Sequence, residues 1–184
     1  MTRDYVHVDR VASPWLIERF VDARAQFIFL PRDEINQFVE KTGAIPFDTG
    51  TGIELDHHEC DGEKHCTFDA IAEKYSFTDD PALERLRKIV RAADTGGINE
   101  EPRAWALELV AVGAPLIVES DHEALELEFP VYDALYAYFQ CEIVREKYAD
   151  EMRKLRSRAE RQEFAKKMAE LKTRMLRPIQ GKTT

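Results

Sequence analysis

Cysteine is scarce in this chain, three among 184 residues, and the number is odd. That excludes a closed disulfide framework and makes free thiols the default. Long apolar runs are missing as well. No stretch reaches the ~18 consecutive apolar residues of a membrane span, and the opening MTRDYVHVDR lacks the apolar core of a signal peptide. The expectation is a soluble, cytoplasmic protein with no membrane partner. Basic residues are outnumbered, 26 Lys and Arg against 35 Asp and Glu, for a formal charge of −9. The shortfall is uneven. Residues 151–184 hold eleven Lys or Arg against four Glu, a net of +7, which leaves −16 on the first 150. A basic tail suits nucleic acid, and equally a helix that docks on its own acidic body or on a partner's.

Histidine is also rare, five in all, yet three of them and two of the three cysteines fall within residues 47–68. Such a density of ligand-type side chains between short apolar runs is costly as plain core, because His and Asp are buried only when paired or metal-bound. The length suits one compact domain with an appendage. We assign residues 1–140 to an α/β metal-binding domain and 141–184 to a basic helical extension.

The expected class is α/β: a small, mostly parallel or mixed sheet flanked by helices, with a mainly helical C-terminal half that ends in a long charged helix. Strands are expected over residues 5–8, 27–30, 45–48 and 52–56, the last two joined by a Thr-Gly-Thr-Gly turn. Ser13 reads as an N-cap with Pro14 at the first helical position. Further helices are expected over 33–41, ended by Gly43, over 68–75 with Thr67 as cap, and over 82–93 behind Pro81. From residue 102 the pattern is helical, with breaks at 113–115 and 130. The last helix, 131–175, carries a narrow apolar stripe of Val144, Tyr148, Met152, Leu155, Phe164, Met168, Leu171 and Met175. That stripe fits a hairpin folded on itself, a docking helix or a dimer seam, and homo-oligomerisation is the favoured outcome.

The chemistry collects at element boundaries. His7 and Asp9 stand at one expected strand tip, Asp48 at another, Asp56-His57-His58 at a third and Asp94 at a helix end. Each alone is ordinarily a cap or a turn residue; together they exceed what caps require. His7, Asp9, Asp48, His57 and Asp94 are the candidate metal ligands, with His58 and Arg10 as catalytic candidates. Mixed imidazole and carboxylate ligation suits a divalent metal, Mn first, with Fe or Zn as alternatives. The partner would be a small phosphoester or oxyanion. A rival reading takes Cys60 and Cys66 with His57, His58 or His65 as a structural zinc site, although Cys-x5-Cys is unusual spacing. A further one makes a thiol beside Lys64 and His65 an oxidant sensor. Asp121-His122 reads as a helix cap outside the site.

Two resemblances follow from these residues. The run from His7 to Phe20 (HVDRVASPWLIERF), with Phe47-Asp48, His58-Glu59, Cys66-Thr67-Phe68-Asp69, Asp80-Pro81-Ala82-Leu83, Ile89-Val90 with Asp94, and Tyr132-Asp133-Ala134-Leu135-Tyr136, closely resembles the chromate-resistance domain found at the C-terminus of the regulator ChrB. It spans roughly residues 5–139 and implies a place in chromate resistance and chromate-responsive regulation. Against the two-part members, this chain reads as lacking an N-terminal region and as adding a basic helical tail.

The second resemblance is shorter. Asp9 with Val11-Ala12-Ser13, then Asp48-Thr49-Gly50, Asp56-His57-His58 and Asp94-Thr95-Gly96, in that order, is similar to the four motifs of the DHH phosphoesterases. It implies His7 and Asp9 as first-motif ligands, Asp48 as the bridging carboxylate, His57 as a ligand, His58 as a phosphate contact and Asp94 as the fourth-motif ligand. Position 7 is His where many members have Asp, an upstream motif-one histidine is missing, and no second substrate-binding domain is recognisable. Three functions from different classes are thus in view: a metal-dependent phosphoester hydrolase, a metal or oxyanion sensor acting through its helical tail, and a zinc-bearing structural or redox-responsive domain.

Overall fold

The computed structural model describes residues 1–169. Its fold class is the expected one: two small two-stranded sheets, one parallel and one antiparallel, flanked by helices, with a helical C-terminal half. In the parallel pair, β1 (Thr2–Arg3) lies against β2 (Phe29–Leu30) in the register Thr2↔Phe29 and Arg3↔Leu30. The Met1 ammonium donates to the Ile45 carbonyl at 2.8 Å, and the Phe47 N–H donates back to Met1 at 3.0 Å.

The expected strand over residues 5–8 is instead the entry to a helix. Tyr5 takes a positive φ of 57°, the Tyr5 and Val6 N–H groups donate to the Asp121 carboxylate, and α1 (Val8–Leu16) begins behind the extended His7. Val8, Val11, Ala12, Trp15 and Leu16, all buried, repeat at three- and four-residue steps, and that stripe outweighs a three-residue alternation. Pro14 therefore lies inside α1, not at its start. A proline cannot donate the i→i−4 bond, and the chain continues past it as a single wide turn, Ile17–Val21, of π character.

The expected strands at 45–48 and 52–56 reduce to isolated ladder bonds such as Asp48 N–H to Leu55 at 2.8 Å. The cause is Asp56, whose carboxylate accepts from the N–H groups of Thr49, Gly50, Thr51, Gly52 and Ile53 and curls that segment around itself. An antiparallel hairpin follows, β3 (His58–Cys60) and β4 (Glu63–His65), turned by Asp61-Gly62 at φ 53° and 81°. Two positive φ values define the type I′ turn that Asp-Gly favours.

Helix ends obey local chemistry. α2 (Ile35–Thr42) stops at left-handed Gly43. α3 (Thr67–Lys74) is capped one residue before Thr67, by Cys66 in a reciprocal box with Asp69. α4 (Pro81–Thr95) starts on Asp80, whose side chain accepts from Ala82 and Leu83, and stops at Gly96. α5 (Ala104–Gly113) leads to α6 (Asp121–Lys147), which runs through Pro130.

The expected helix over 131–175 breaks at Tyr148. The short α7 (Ala149–Lys154) follows, and Ser157 with Glu160 then forms the capping box that starts α8 (Arg158–Met168). α8 returns onto α6, with Tyr148 and Phe164 rings 5.9 Å apart. Among the described residues the stripe is thus a folded hairpin; Leu171 and Met175 lie outside them.

The core sits between α1, α3, α4 and α6. Trp15 is its centre, stacked on Phe68 and Tyr132 and edge-on to Phe20 and Tyr136. Its indole N–H donates to Asp133 at 2.8 Å, and Arg19 grips the same carboxylate with two donors. No described helix is long and apolar enough to cross a membrane.

Candidate functional site: a buried His/Asp cluster

Asp9 is the second residue of α1 and is 1% exposed. One carboxylate oxygen accepts from Ser13 at 3.1 Å and from the Phe68 N–H at 2.9 Å; the other accepts from the Thr67 N–H at 2.5 Å. An acid on α1 therefore neutralises the N-terminus of α3, where unpaired N–H groups and the helix dipole favour negative charge. Asp94 reaches the same place from the last turn of α4. Its Oδ2 is buried, and its nearest cation among the described residues is the His57 ring, 3.2 Å away. Asp48, at a positive φ of 47°, is held by Arg3, which donates to its carbonyl and its carboxylate at 2.9 Å each. Arg10 stands 3.8 Å from its other oxygen.

His57 closes the group. Its Nε2 lies 3.2 Å from Asp94, 3.4 Å from Asp9 and 3.6 Å from Asp48, and its ring is half exposed. An open pocket of about 340 Å³, lined by Arg3, Asp48, Gly50, Gly52, Asp56 and His57, brings solvent to it.

The electrostatics follow from three carboxylates in one poorly solvated spot. The hydrogen bond to Asp9, opposed by burial and aided by the charges of all three acids, pushes His57 up to about 9. Burial, and then the Asp9 charge, lift Asp94 to about 7. Burial and Asp9 also raise Asp48, against the pull of Arg3 and Arg10. Both shifts favour a charged His57 and a partly protonated Asp94 near neutral pH. Positive charge is already called for at the centre of the cluster.

Of the residues singled out from the sequence, Asp9, Asp48, His57, Asp94 and Arg10 come together. His7 and His58 stand elsewhere: His7 faces Glu108 at 3.6 Å, and His58 faces Glu73 at 3.4 Å on the hairpin. Arg3 was missed, and nothing in a polar N-terminal dipeptide signals it. Asp56 lies beside the pocket, but its carboxylate is spent on the loop N–H groups, which hold its pKa down against burial. Cys66 is fully buried and burial pushes its thiol well up, which opposes the thiolate that zinc needs; Cys60 is exposed, and both are free. Asp121 serves as a receptor for the 5–6 backbone, and His122 bonds to the Phe27 carbonyl at 3.0 Å.

Fold and site define a small α/β domain built around an acidic cluster with one histidine at its mouth. The chain belongs to the family described as "ChrB, C-terminal domain", which matches residues 1–139. Protein ChrB of Cupriavidus metallidurans is 30% identical over 138 residues, covering 75% of this chain and 40% of that protein. The chain thus spans about two fifths of the length of the curated relative it matches. No solved structure matches it.

Proposed function

We propose that Asp9, His57 and Asp94, with Asp48 beside them, bind one divalent cation, Mn first and Fe or Zn as alternatives, and that the domain serves chromate resistance through this site. The observation that carries the reading is the convergence of Asp9, His57 and Asp94, two of them buried or nearly so, with ligand atoms that all lie within 4.8 Å of one another. Buried carboxylates brought this close together are expensive unless positive charge binds them. Three carboxylates with a single imidazole form a predominantly hard donor set of the kind that suits Mn. A bound cation supplies Lewis acidity and a water of lowered pKa. Arg3 and Arg10, on the Asp48 side, would hold an anionic ligand by charge, and small phosphoesters or oxyanions are the class that fits. A DHH-like phosphoester hydrolase is the enzymatic form of this proposal.

A non-enzymatic sensor is the second reading, favoured by Asp9. It joins the cluster to the first two N–H groups of α3, so loading the site would act on a helix.

Elemental analysis of the purified chain by inductively coupled plasma mass spectrometry tests the proposal. Near-stoichiometric Mn, Fe or Zn is expected in the native protein, and an Asp48→Ala, His57→Ala double variant that remains folded should carry one equivalent less. A native chain that stays metal-free after reconstitution with all three ions overturns it. Turnover of a chromogenic phosphodiester by the loaded protein then separates enzyme from sensor.

A further inference from the structure

The hairpin carries a second group of ligand-type side chains on the side away from His57. Consecutive residues of an extended strand point to opposite faces. His57 faces the acidic cluster, and His58 faces the other way. The register sets His58 directly opposite His65, with ring centroids 5.1 Å apart. Glu73 rises from the last turn of α3 and meets both: one oxygen is 3.4 Å from His58 Nε2, the other 3.3 Å from His65 Nδ1. All three ligand atoms lie within 4.8 Å of one another.

We propose that His58, His65 and Glu73 form a second metal site, for a borderline transition ion of the Zn²⁺ class, independent of the acidic cluster. Metal–ligand bonds of about 2.0–2.1 Å in a tetrahedron place the donors about 3.3–3.4 Å apart; here one donor atom from each residue lies within 4.8 Å of the others, so a small closure of side chains brings them to that spacing. Two imidazoles and one carboxylate are the His₂Glu donor set that zinc uses when it keeps a fourth position open. The placement agrees: His65 is nearly buried, while His58 and Glu73 are one-third to two-fifths exposed and leave one side to solvent. Glu73 also touches Arg87 at 3.3 Å, but Arg87 keeps Glu84 at 2.8 Å and Asp69 at 3.4 Å when Glu73 turns to a metal. The ligands are preorganised by backbone rather than by long side chains, since the tight Asp61-Gly62 turn fixes the two histidines across the ladder.

The test uses the full chain, stripped of metal, in an Asp94→Asn background so that the acidic cluster is disabled. Zn²⁺ is titrated calorimetrically and followed by two-bond ¹H–¹⁵N spectra of the imidazoles. One equivalent of Zn²⁺ should bind, shifting His58 and His65 but not His7 or His122. Glu73→Gln, at a partly exposed position, should weaken binding at least about tenfold while the circular dichroism stays unchanged. His65→Ala gives a second check on the same loss. Absence of zinc binding, or an isotherm unaltered by Glu73→Gln, overturns the site. Either result leaves the Mn proposal standing, because that proposal fails only when the chain with Asp94 intact binds no ion at the cluster.

Discussion

Glu128 is fully buried on α6, and among the described residues neither of its oxygens has a hydrogen-bond partner. Burial alone pushes its pKa to about 7, against roughly 4.3 in an unfolded chain. The folded state therefore holds this proton more tightly than the unfolded one. Stability is unaffected below the unfolded value and is lost as pH rises toward and past the folded one. Glu128→Gln should gain about 3 kcal/mol in urea unfolding near pH 8 and almost nothing near pH 4. Equal midpoints at the higher pH would show that Glu128 ionises freely. His57 acts in the same direction by the opposite chemistry: its raised pKa gives stability that is complete below about 6.5 and disappears as pH climbs through about 9.

The hairpin is the element on which most of the chemistry turns. Gly62, at φ 81°, has open space where a Cβ would stand, so a substitution there meets strain in the backbone and no clash. Gly62→Ala should cost about 1 kcal/mol of stability, read from urea midpoints, through the left-handed conformation alone. An unchanged midpoint would mean that the turn relaxes to another type. Asp61-Gly62 is a hairpin signal, but its flanking strands, HEC and EKH, have no apolar alternation to mark them in the sequence. Other boundaries were plain: Gly43 ending α2, and Asp80-Pro81 opening α4, each act through local backbone geometry that needs no tertiary context. The N-terminal strand failed because Val8 belongs to two patterns, and only burial of Trp15 and Leu16 decides for the helix.

Across the whole molecule, the acidic cluster is assembled from α1, α4 and the two loops that hold Asp48 and His57. Spacing named these residues but fixed no distance between them, and the turning away of His7 and His58 depends on strand pairing and helix phase. A ligand bound to all four ties remote segments together. Mn²⁺ at about 100 times its Kd should add about 2.7 kcal/mol to global stability. A cation bound there would displace protons from His57 and Asp94, so at one fixed Mn²⁺ concentration the rise in Tm should be larger near pH 8 than near pH 6. A Tm shift that does not grow with pH would mean that these protons stay in place.

The chain has two tryptophans. Trp15 is sealed among aromatic rings and Trp105 is half exposed, so a dissolved collisional quencher extinguishes the second and spares the first. What remains is a lamp on α1, stacked on the ring of Phe68, and the same Phe68 gives its backbone N–H to Asp9. The residual emission of Trp15 is thus an internal optical gauge of the acidic cluster, with no dye attached.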